Sequence, residues 1–218
     1  MKENGIRTIS QMLEIYAGEI TEYVKQNDIS AVVNAANPTL MGSIHHGVDH
    51  KIHKIVNKKL PKGEKFKDKI RKELDENKDY PEEIIRCERG NAVITSGYDF
   101  CEYIIHVVGP KCDGEKKNER KPWCCTSRCT KVLETCYRNI MEQVKKKRDI
   151  ETVAIPIIGS GNYGIPFEVA VRIAIGTVGN ILTEWKNKDI EYFQYMPLKK
   201  IVFCIYDPDM SKQNELMC

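Results

Sequence analysis

The sequence lacks several features that would assign it to a class of protein. No stretch approaches the roughly 20 apolar residues of a membrane-spanning helix, and the opening residues MKEN lack the apolar core of a secretory signal. The net charge is only +3, which gives little support to a nucleic-acid-binding surface. We therefore expect a cytoplasmic protein whose partner is neither a membrane nor a nucleic acid.

Paired Cys-x-x-Cys motifs are also missing. The chain has 9 cysteines, an odd number, and several of them cluster between Cys112 and Cys136. In a reducing compartment such residues are free thiols. A zinc site made from Cys112, Cys125 and Cys129 would lack the usual ligand spacing. We therefore expect no metal in this part of the chain.

The residues that are present, 41% hydrophobic and 30% charged, are typical of a globular domain. No shift in composition divides the 218 residues, and this length suits one substantial core. We predict a single domain over 1–218, taken as a monomer. Two polar or charged segments, at about 61–81 and 111–122, are predicted to be surface insertions.

Short apolar segments rich in β-branched residues alternate with longer segments of helical periodicity. The predicted strands are 13–16, 31–33, 92–95, 103–108, 152–157 and 201–206, and the predicted helices lie near 21–25, 48–59, 66–77, 126–147 and 166–185. Pro166 suits a first helical turn. The alternation predicts an α/β layered domain with a mixed sheet, in which the third and fourth strands form a hairpin. Ligands of such folds bind at the carboxyl ends of the strands.

A glycine-rich loop, GSGNYG over 159–164, follows the fifth predicted strand. Glycines let the backbone approach a ligand closely, and the start of the next helix presents unpaired N–H groups, so the loop suits a phosphate. The segment also matches the Gly-x-Gly-x-x-Gly pattern of dinucleotide-binding folds. However, the next strand ends at Asp207, far beyond the roughly 20 residues expected before a ribose-binding acid. A glycine turn without a ligand stays open from this loop alone.

The loop after the second predicted strand carries Asn34, Asn37 and, at the start of a helix, Gly47-Val48-Asp49. Asparagine side chains suit ribose hydroxyls, and the helix start could face a second phosphate. Taken alone, Asp49 is explained as well by charge complementarity with the helix dipole.

Several motifs, in order along the chain, resemble those of macro domains. They are AGEIT (17–21), NAAN (34–37), GVDHKIH (47–53), GNAVITSGY (90–98), IHVVGP (105–110) and GSGNYGIP (159–166). The resemblance covers about 13–209. It implies a three-layer α/β/α fold with a mixed, mostly parallel six-stranded sheet, and a domain that binds ADP-ribose without a cofactor or metal.

The resemblance also implies a binding mode. Adenine would be held by Glu19 and Ile20 and flanked by Tyr206 or Asp207. The diphosphate would lie between the backbone of Gly47 and Val48 and that of the glycine-rich loop, namely Ser160, Gly161, Asn162, Tyr163 and Gly164. Tyr163 would also cover the distal ribose. Asn37 would orient that ribose, and Asp49 would position or activate water, as in family enzymes that release ADP-ribose from acidic side chains.

Two departures from the family pattern bear on these roles. Glu19 stands where an Asp is usual, and 42–47 reads GSIHHG where consecutive glycines are usual. Four of the 5 histidines lie between His45 and His53, so zinc is an alternative; we expect instead that His45, His46 and His50 face solvent and that His53 packs under the loop.

Two functions follow from the resemblance. The first is hydrolysis of mono-ADP-ribosyl groups from acidic side chains of modified proteins, which Asn37 and Asp49 favour. The second is a non-catalytic reader of ADP-ribose or of ADP-ribosylated proteins, which the altered loop favours. A module that binds RNA or a metabolite of NAD in the same cleft is a more distant alternative.

Overall fold

The computed structural model describes residues 7–44, 47–75, 80–112, 127–161 and 163–206. Its strands are β1 (Leu13–Ala17), β2 (Ala31–Ala35), β3 (Ala92–Ser96), β4 (Tyr103–Val107), β5 (Thr152–Pro156) and β6 (Lys200–Ile205). Its helices are α1 (Ile9–Met12), α2 (Ile20–Gln26), α3 (Val48–Lys59), α4 (Phe66–Leu74), α5 (Ser127–Lys146), α6 (Phe167–Lys188) and α7 (Ile190–Tyr195). Among these residues, no helix is both long enough and apolar enough to cross a membrane.

The strands form one six-stranded sheet in the order β1-β6-β5-β2-β4-β3. All neighbouring strands are parallel except β3 and β4, which form the predicted antiparallel hairpin. The continuous apolar runs of β2, β4, β5 and β6 are buried on both faces because helices cover the sheet on each side. The prediction of a three-layer α/β/α fold with a mixed, mostly parallel sheet is therefore confirmed.

Two hydrophobic clusters fill the spaces between the sheet and its helices. One joins the sheet to α5 and α6, with Tyr137 and Trp185 among its larger side chains. The other joins the opposite face to α2, α3 and α4, with Ile52 and Phe66 at its centre. Consequently α3 and α6 lie on opposite faces of the sheet, although the strands that precede them, β2 and β5, are neighbours.

The predicted helices are present with small shifts at their ends. Helix α3 has the predicted bounds, while Pro166 lies just outside α6, as its N-cap, because its ψ of 133° is extended. The short helices α1 and α7 were not predicted. In α7 the Asp189 side chain accepts a hydrogen bond from Tyr192 N (2.8 Å), which closes a helix too short for periodicity to reveal.

The segment 61–81 is only partly a surface insertion, which corrects the prediction. Helix α4 buries Phe66 and Ile70 completely. Directly after it, the Asp75 carboxylate accepts hydrogen bonds from Arg86 Nε (2.9 Å) and Nη2 (2.7 Å) in a pair that is almost fully buried. The prediction was wrong because charged residues outnumber the few apolar ones, which are widely spaced but lie on one face of the helix. Of the second predicted insertion, 111–122, only Lys111 and Cys112 lie within the described residues.

Candidate functional site

The carboxyl ends of β2 and β5 form a switch point of the sheet, and we refer to the space beyond them as the crevice. These strands pair only at Ala31–Val153 and Val32–Ala154, and the chain leaves them towards helices on opposite faces of the sheet. In open α/β sheets, ligands bind at such a switch point, outside the carboxyl ends of the strands. The ends of β1 and β6 reach the same edge, and Gly18 N donates to Ile205 O (2.8 Å) there. The predicted site residues of four separate strands therefore share one edge of the sheet.

The loop between β5 and α6 is shaped by its backbone. Gly159 and Gly164 have positive φ (81° and 75°), and Ile165 N donates to Gly159 O (3.0 Å), which closes the turn. A Cβ atom at Gly159 would lie 2.7 Å from Ile165 Cδ1, whereas one at Gly161 would meet nothing within 4 Å. The middle of the loop is therefore exposed and open. Asn162 lies outside the described residues.

Tyr163 turns from this loop towards the end of β4. Its carbonyl accepts a hydrogen bond from Cys112 N (3.0 Å), and the Arg89 guanidinium lies 5.1 Å from the centre of its ring. Arg89 Nη1 also donates to Gly109 O (2.9 Å). Sequence reasoning missed Arg89, which lies between two predicted elements and has no local pattern of its own. It brings a positive charge to this end of the crevice.

The side chain of Asn37 forms its hydrogen bonds within its own loop. Its Oδ1 accepts hydrogen bonds from Thr39 N (3.1 Å), Thr39 Oγ1 (2.8 Å) and Leu40 N (2.9 Å), and its Nδ2 donates to Gly42 O (2.8 Å). Leu40 is fully buried with a positive φ of 62°, a conformation that these bonds stabilise. The side chain predicted to orient the ribose therefore shapes the loop between β2 and α3.

Asp49 lies in the first turn of α3 with 5% of its surface exposed. Its Oδ1 accepts a hydrogen bond from Asn34 Nδ2 (2.8 Å), and among the described residues no donor bonds to Oδ2. Burial raises the pKa of this carboxyl group to about 6, against the opposing effect of the Asn34 hydrogen bond, the charge of His50 and the Ser43 backbone. At pH 7 the ionised form still predominates, so Asp49 can act as a base near neutral pH.

Asn34 connects Asp49 to the sheet. On β2 it is the register partner of His106 on β4, and its Nδ2 lies 3.2 Å from His106 Nδ1. His106 Nε2 lies 3.0 Å from Thr95 Oγ1 on β3. Burial lowers the pKa of His106 to about 3, so the ring is neutral; Asn34 can then donate one amide proton to Asp49 and the other to His106. The sequence signal for this network was two polar residues inside otherwise apolar strands.

His53 packs under the loop, as predicted. Its ring lies 4.7 Å from the Phe66 ring, and a Cβ atom at Gly42 would lie 2.8 Å from its Nδ1, so only glycine fits there. His53 Nε2 is 3.5 Å from Asp49 Oδ1, and burial lowers the pKa of His53 to about 4. The ring is therefore neutral and adds no positive charge next to Asp49.

The other histidines differ from the prediction or lie beyond the description. His50 is half-buried rather than facing solvent, because its Nδ1 lies 3.0 Å from Ser43 O. His45 and His46 are outside the described residues. Within the described ranges, no three His, Cys, Asp or Glu side chains come together as a metal site.

Glu19 and Tyr206 come together at the end of the crevice where adenine was predicted. Thr21 Oγ1 donates to Glu19 Oε1, Lys51 Nζ lies 3.0 Å from Glu19 Oε2, and the same Nζ lies 4.8 Å from the centre of the Tyr206 ring. Ile20 is buried behind them. Sequence reasoning missed Lys51, which reaches this end from α3. Asp207 lies outside the described residues.

A mostly parallel α/β sheet with a glycine loop and a helix start at its switch point is typical of the class of domains that bind phosphate-containing ligands. The family model of the macro domain matches residues 33–174. The chain belongs to the macro domain family, and the suspected resemblance is confirmed.

Individual relatives agree with this assignment. The chain is 31% identical over 201 residues to the ADP-ribose glycohydrolase MACROD2 of Mus musculus, covering 92% of this chain and 34% of that protein. It is also 31% identical to the macro domain-containing protein mll7730 of Mesorhizobium japonicum, covering 92% and 89%. The chain thus spans about a third of the MACROD2 sequence and most of the bacterial one.

Solved structures show the same fold. The Oceanobacillus iheyensis macrodomain with ADP has a TM-score of 0.63 at 27% identity, with 97% of this chain and 95% of that chain covered. A variant of that macrodomain with ADPR has a TM-score of 0.60 at 27% identity, with 97% of each chain covered.

Proposed function

We propose that the protein binds ADP-ribose in the crevice between β2 and β5. The observation that carries this proposal is the open backbone at Gly161, where a Cβ atom would meet nothing within 4 Å, in the loop after β5, the strand next to the one that leads into α3. A glycine-rich loop and the start of a helix are both suited to bind a phosphate. The ADP and ADPR structures of the O. iheyensis macrodomain support the choice of ligand.

In this proposal the ligand spans the carboxyl edge of the sheet. Adenine would lie against Tyr206 and Glu19 with Ile20 behind it, and Lys51 would border the ring. The diphosphate would contact the backbone of Gly47 and Val48 and of the loop from Ser160 to Gly164. The distal ribose would lie between Tyr163 and Asp49.

We further propose that the protein hydrolyses mono-ADP-ribosyl groups from acidic side chains. Asp49 would accept a proton from water as the water oxygen bonds to the anomeric carbon of the distal ribose. The bond between that carbon and the modified carboxylate would break, and the carboxylate would leave with the electron pair. A buried carboxyl group with a pKa of about 6 suits this step, because it is ionised at neutral pH yet basic enough to take the proton. MACROD2, named as an ADP-ribose glycohydrolase, supports this activity.

A reader that binds without hydrolysis is the second candidate. Two observations favour it: the polar atoms of Asn37 are already bonded within its own loop, and Asp49 is only 5% exposed. Hydrolysis therefore requires the 41–47 loop to admit water next to Asp49. In either function the partners are ADP-ribose and mono-ADP-ribosylated proteins, and a cytoplasmic location belongs to the proposal.

The test incubates the protein with a protein substrate that is mono-ADP-ribosylated on glutamate and follows free ADP-ribose. Calorimetry measures the affinity for ADP-ribose in parallel. We expect Asp49→Ala to lose turnover while it retains binding. Asp28→Ala, an exposed aspartate at the opposite edge of the sheet, is the matched control and should retain both. Binding without wild-type turnover would favour the reader, and absence of binding would overturn the proposal.

A further inference from the structure

A cavity is lined by the 41–44 loop, which is part of the connection from β2 to α3. Its volume is about 390 Å³, and it is walled by that loop, by one face of α3 and by the start of α4. Residues His50, His53, Lys54 and Asn57 line it from α3, with the spacing of a single helix face. We refer to this cavity as the α3–α4 groove.

The α3–α4 groove is positively charged. Three lysines line it (Lys54, Lys65 and Lys67), and no aspartate or glutamate is among the described residues that form its wall. Glu82 pairs with Lys67 (2.6 Å), and the charge of Lys65 also acts on the same carboxylate. Three lysines against this one carboxylate leave the groove with a net positive charge, and Lys54 and Lys65 are both exposed. A surplus of lysines over carboxylates attracts an anionic partner.

The groove shares its wall with the proposed reacting centre. Gly42 lines the groove and its carbonyl accepts the Asn37 hydrogen bond (2.8 Å). His53 also lines the groove, and its Nε2 is 3.5 Å from Asp49 Oδ1. The polypeptide of a modified protein, attached to the distal ribose next to Asp49, would therefore lie directly beside this groove.

From this juxtaposition we propose that the α3–α4 groove binds an acidic peptide segment next to the modified side chain of an ADP-ribosylated protein. The inference rests on the proposed function, which puts the distal ribose at Asp49. The volume is more than ten times the roughly 30 Å³ that one water occupies, so the groove holds several side chains rather than one small anion. Lys54 and Lys65 would pair with carboxylates of the segment, and Asn57 and the 41–44 loop would contact its backbone.

The test compares two synthetic peptides that carry ADP-ribose through a non-hydrolysable linkage. One has glutamates on both sides of the modified residue, and the other has glutamines. At low ionic strength we expect the wild type to bind the glutamate peptide about tenfold more tightly, as a few exposed ion pairs would give. The Lys54→Ala/Lys65→Ala variant should lose this preference, with its affinity for free ADP-ribose unchanged.

The matched control is Lys59→Ala/Lys62→Ala, which removes the same charge from exposed positions outside the groove. It should keep the preference for the glutamate peptide. Equal affinity of the wild type for both peptides, or a preference that survives in Lys54→Ala/Lys65→Ala, would overturn the inference. Failure of the proposed function looks different, because free ADP-ribose then does not bind. In that case the unmodified glutamate peptide is tested alone. Binding that is lost in Lys54→Ala/Lys65→Ala supports an acidic segment in the groove, and absence of such binding overturns it.

Discussion

The two loops on either side of the crevice reach their shapes by different means. Between β5 and α6, the turn is closed by backbone hydrogen bonds and by glycines with positive φ, and the exposed Gly161 carries no side chain. Between β2 and α3, the chain is held by side chains: Asn37 makes four hydrogen bonds to three residues of the loop, and Asn34 holds Asp49. The first loop presents an open backbone at Gly161, whereas the second uses its polar side chains to hold its own shape.

The second loop is also supported from outside. Arg86 N and Cys87 N both donate to Pro38 O (3.0 and 3.1 Å), and Arg86 Nη1 lies 3.3 Å from Thr39 O. The Arg86 guanidinium is fixed in turn by Asp75 at the end of α4. The loop on the proposed anion-binding side is therefore shaped by contacts within itself. The loop on the proposed catalytic side depends on residues that are distant in the sequence. Four changes test this difference.

Removal of the Arg86 side chain, which supports the second loop, should have the largest effect on stability. Arg86→Ala leaves the buried Asp75 carboxylate without its partner, so we expect the free energy of unfolding to fall by about 3–5 kcal/mol. Chemical denaturation measures it. Arg138→Ala, which breaks an exposed pair with Glu184, is the control and should cost at most about 1 kcal/mol. Equal losses in the two variants would mean that the Arg86 pair does not support the loop.

A carboxylate in the glycine-rich loop should have the next largest effect, but on binding alone. Gly161→Glu directs a negative charge into the space proposed for the diphosphate, and we expect the Kd for ADP-ribose to rise by at least about a hundredfold. The melting temperature should not change, because a Cβ atom at Gly161 would meet nothing within 4 Å and the position is exposed. Gly161→Ala should bind almost as the wild type does. Tight binding by Gly161→Glu in calorimetry would remove this loop from the ligand site.

Loss of the Asn37 side chain should unfold the second loop locally. Asn37→Ala removes three accepted hydrogen bonds and one donated bond, and we expect a stability loss of about 1–2 kcal/mol. Asn37→Asp keeps the accepting oxygen and should recover more than half of it. Hydrogen exchange at Leu40 N should increase in Asn37→Ala. No change in stability or exchange would show that the side chain is available to the ribose instead.

Removal of Asn34 should have a distinct effect, on the pH dependence of turnover. If ionised Asp49 is the base, turnover falls as the pH drops below its pKa of about 6. The Asn34 hydrogen bond favours the carboxylate and so lowers that pKa; in Asn34→Ala the pKa rises, and the acidic limb of the pH–rate profile moves to higher pH. Asn139→Ala, whose side chain bonds to Gly90 O far from Asp49, should leave the limb in place. A limb that stays in place in Asn34→Ala as well would exclude Asn34 as a positioning residue.

Much of the fold could be predicted because its signals are local. Buried parallel strands are continuous apolar runs, and α3 begins after Gly47 and ends in lysines, so its bounds were predicted correctly. The site was predicted only as a set of motifs. Arg89 and Lys51 were missed, and Asn34 was predicted to meet a ribose rather than Asp49. Each of these side chains acts on a residue of a different element, and neither periodicity nor spacing reports such a pairing. Helix α4 was placed in a surface insertion because its charged residues outnumber Phe66 and Ile70.

By itself, the sequence determined the order of strands and helices and the positions where glycine permits a tight turn, because these depend on the conformational preferences of neighbouring residues. Only the tertiary structure decided which polar groups face each other. The register of β2 against β4 brings Asn34 to His106, and the packing of α3 on the sheet buries Asp49 against Asn34. That burial, and not the identity of the residue, raises the pKa of the carboxyl group, because desolvation depends on everything packed around it.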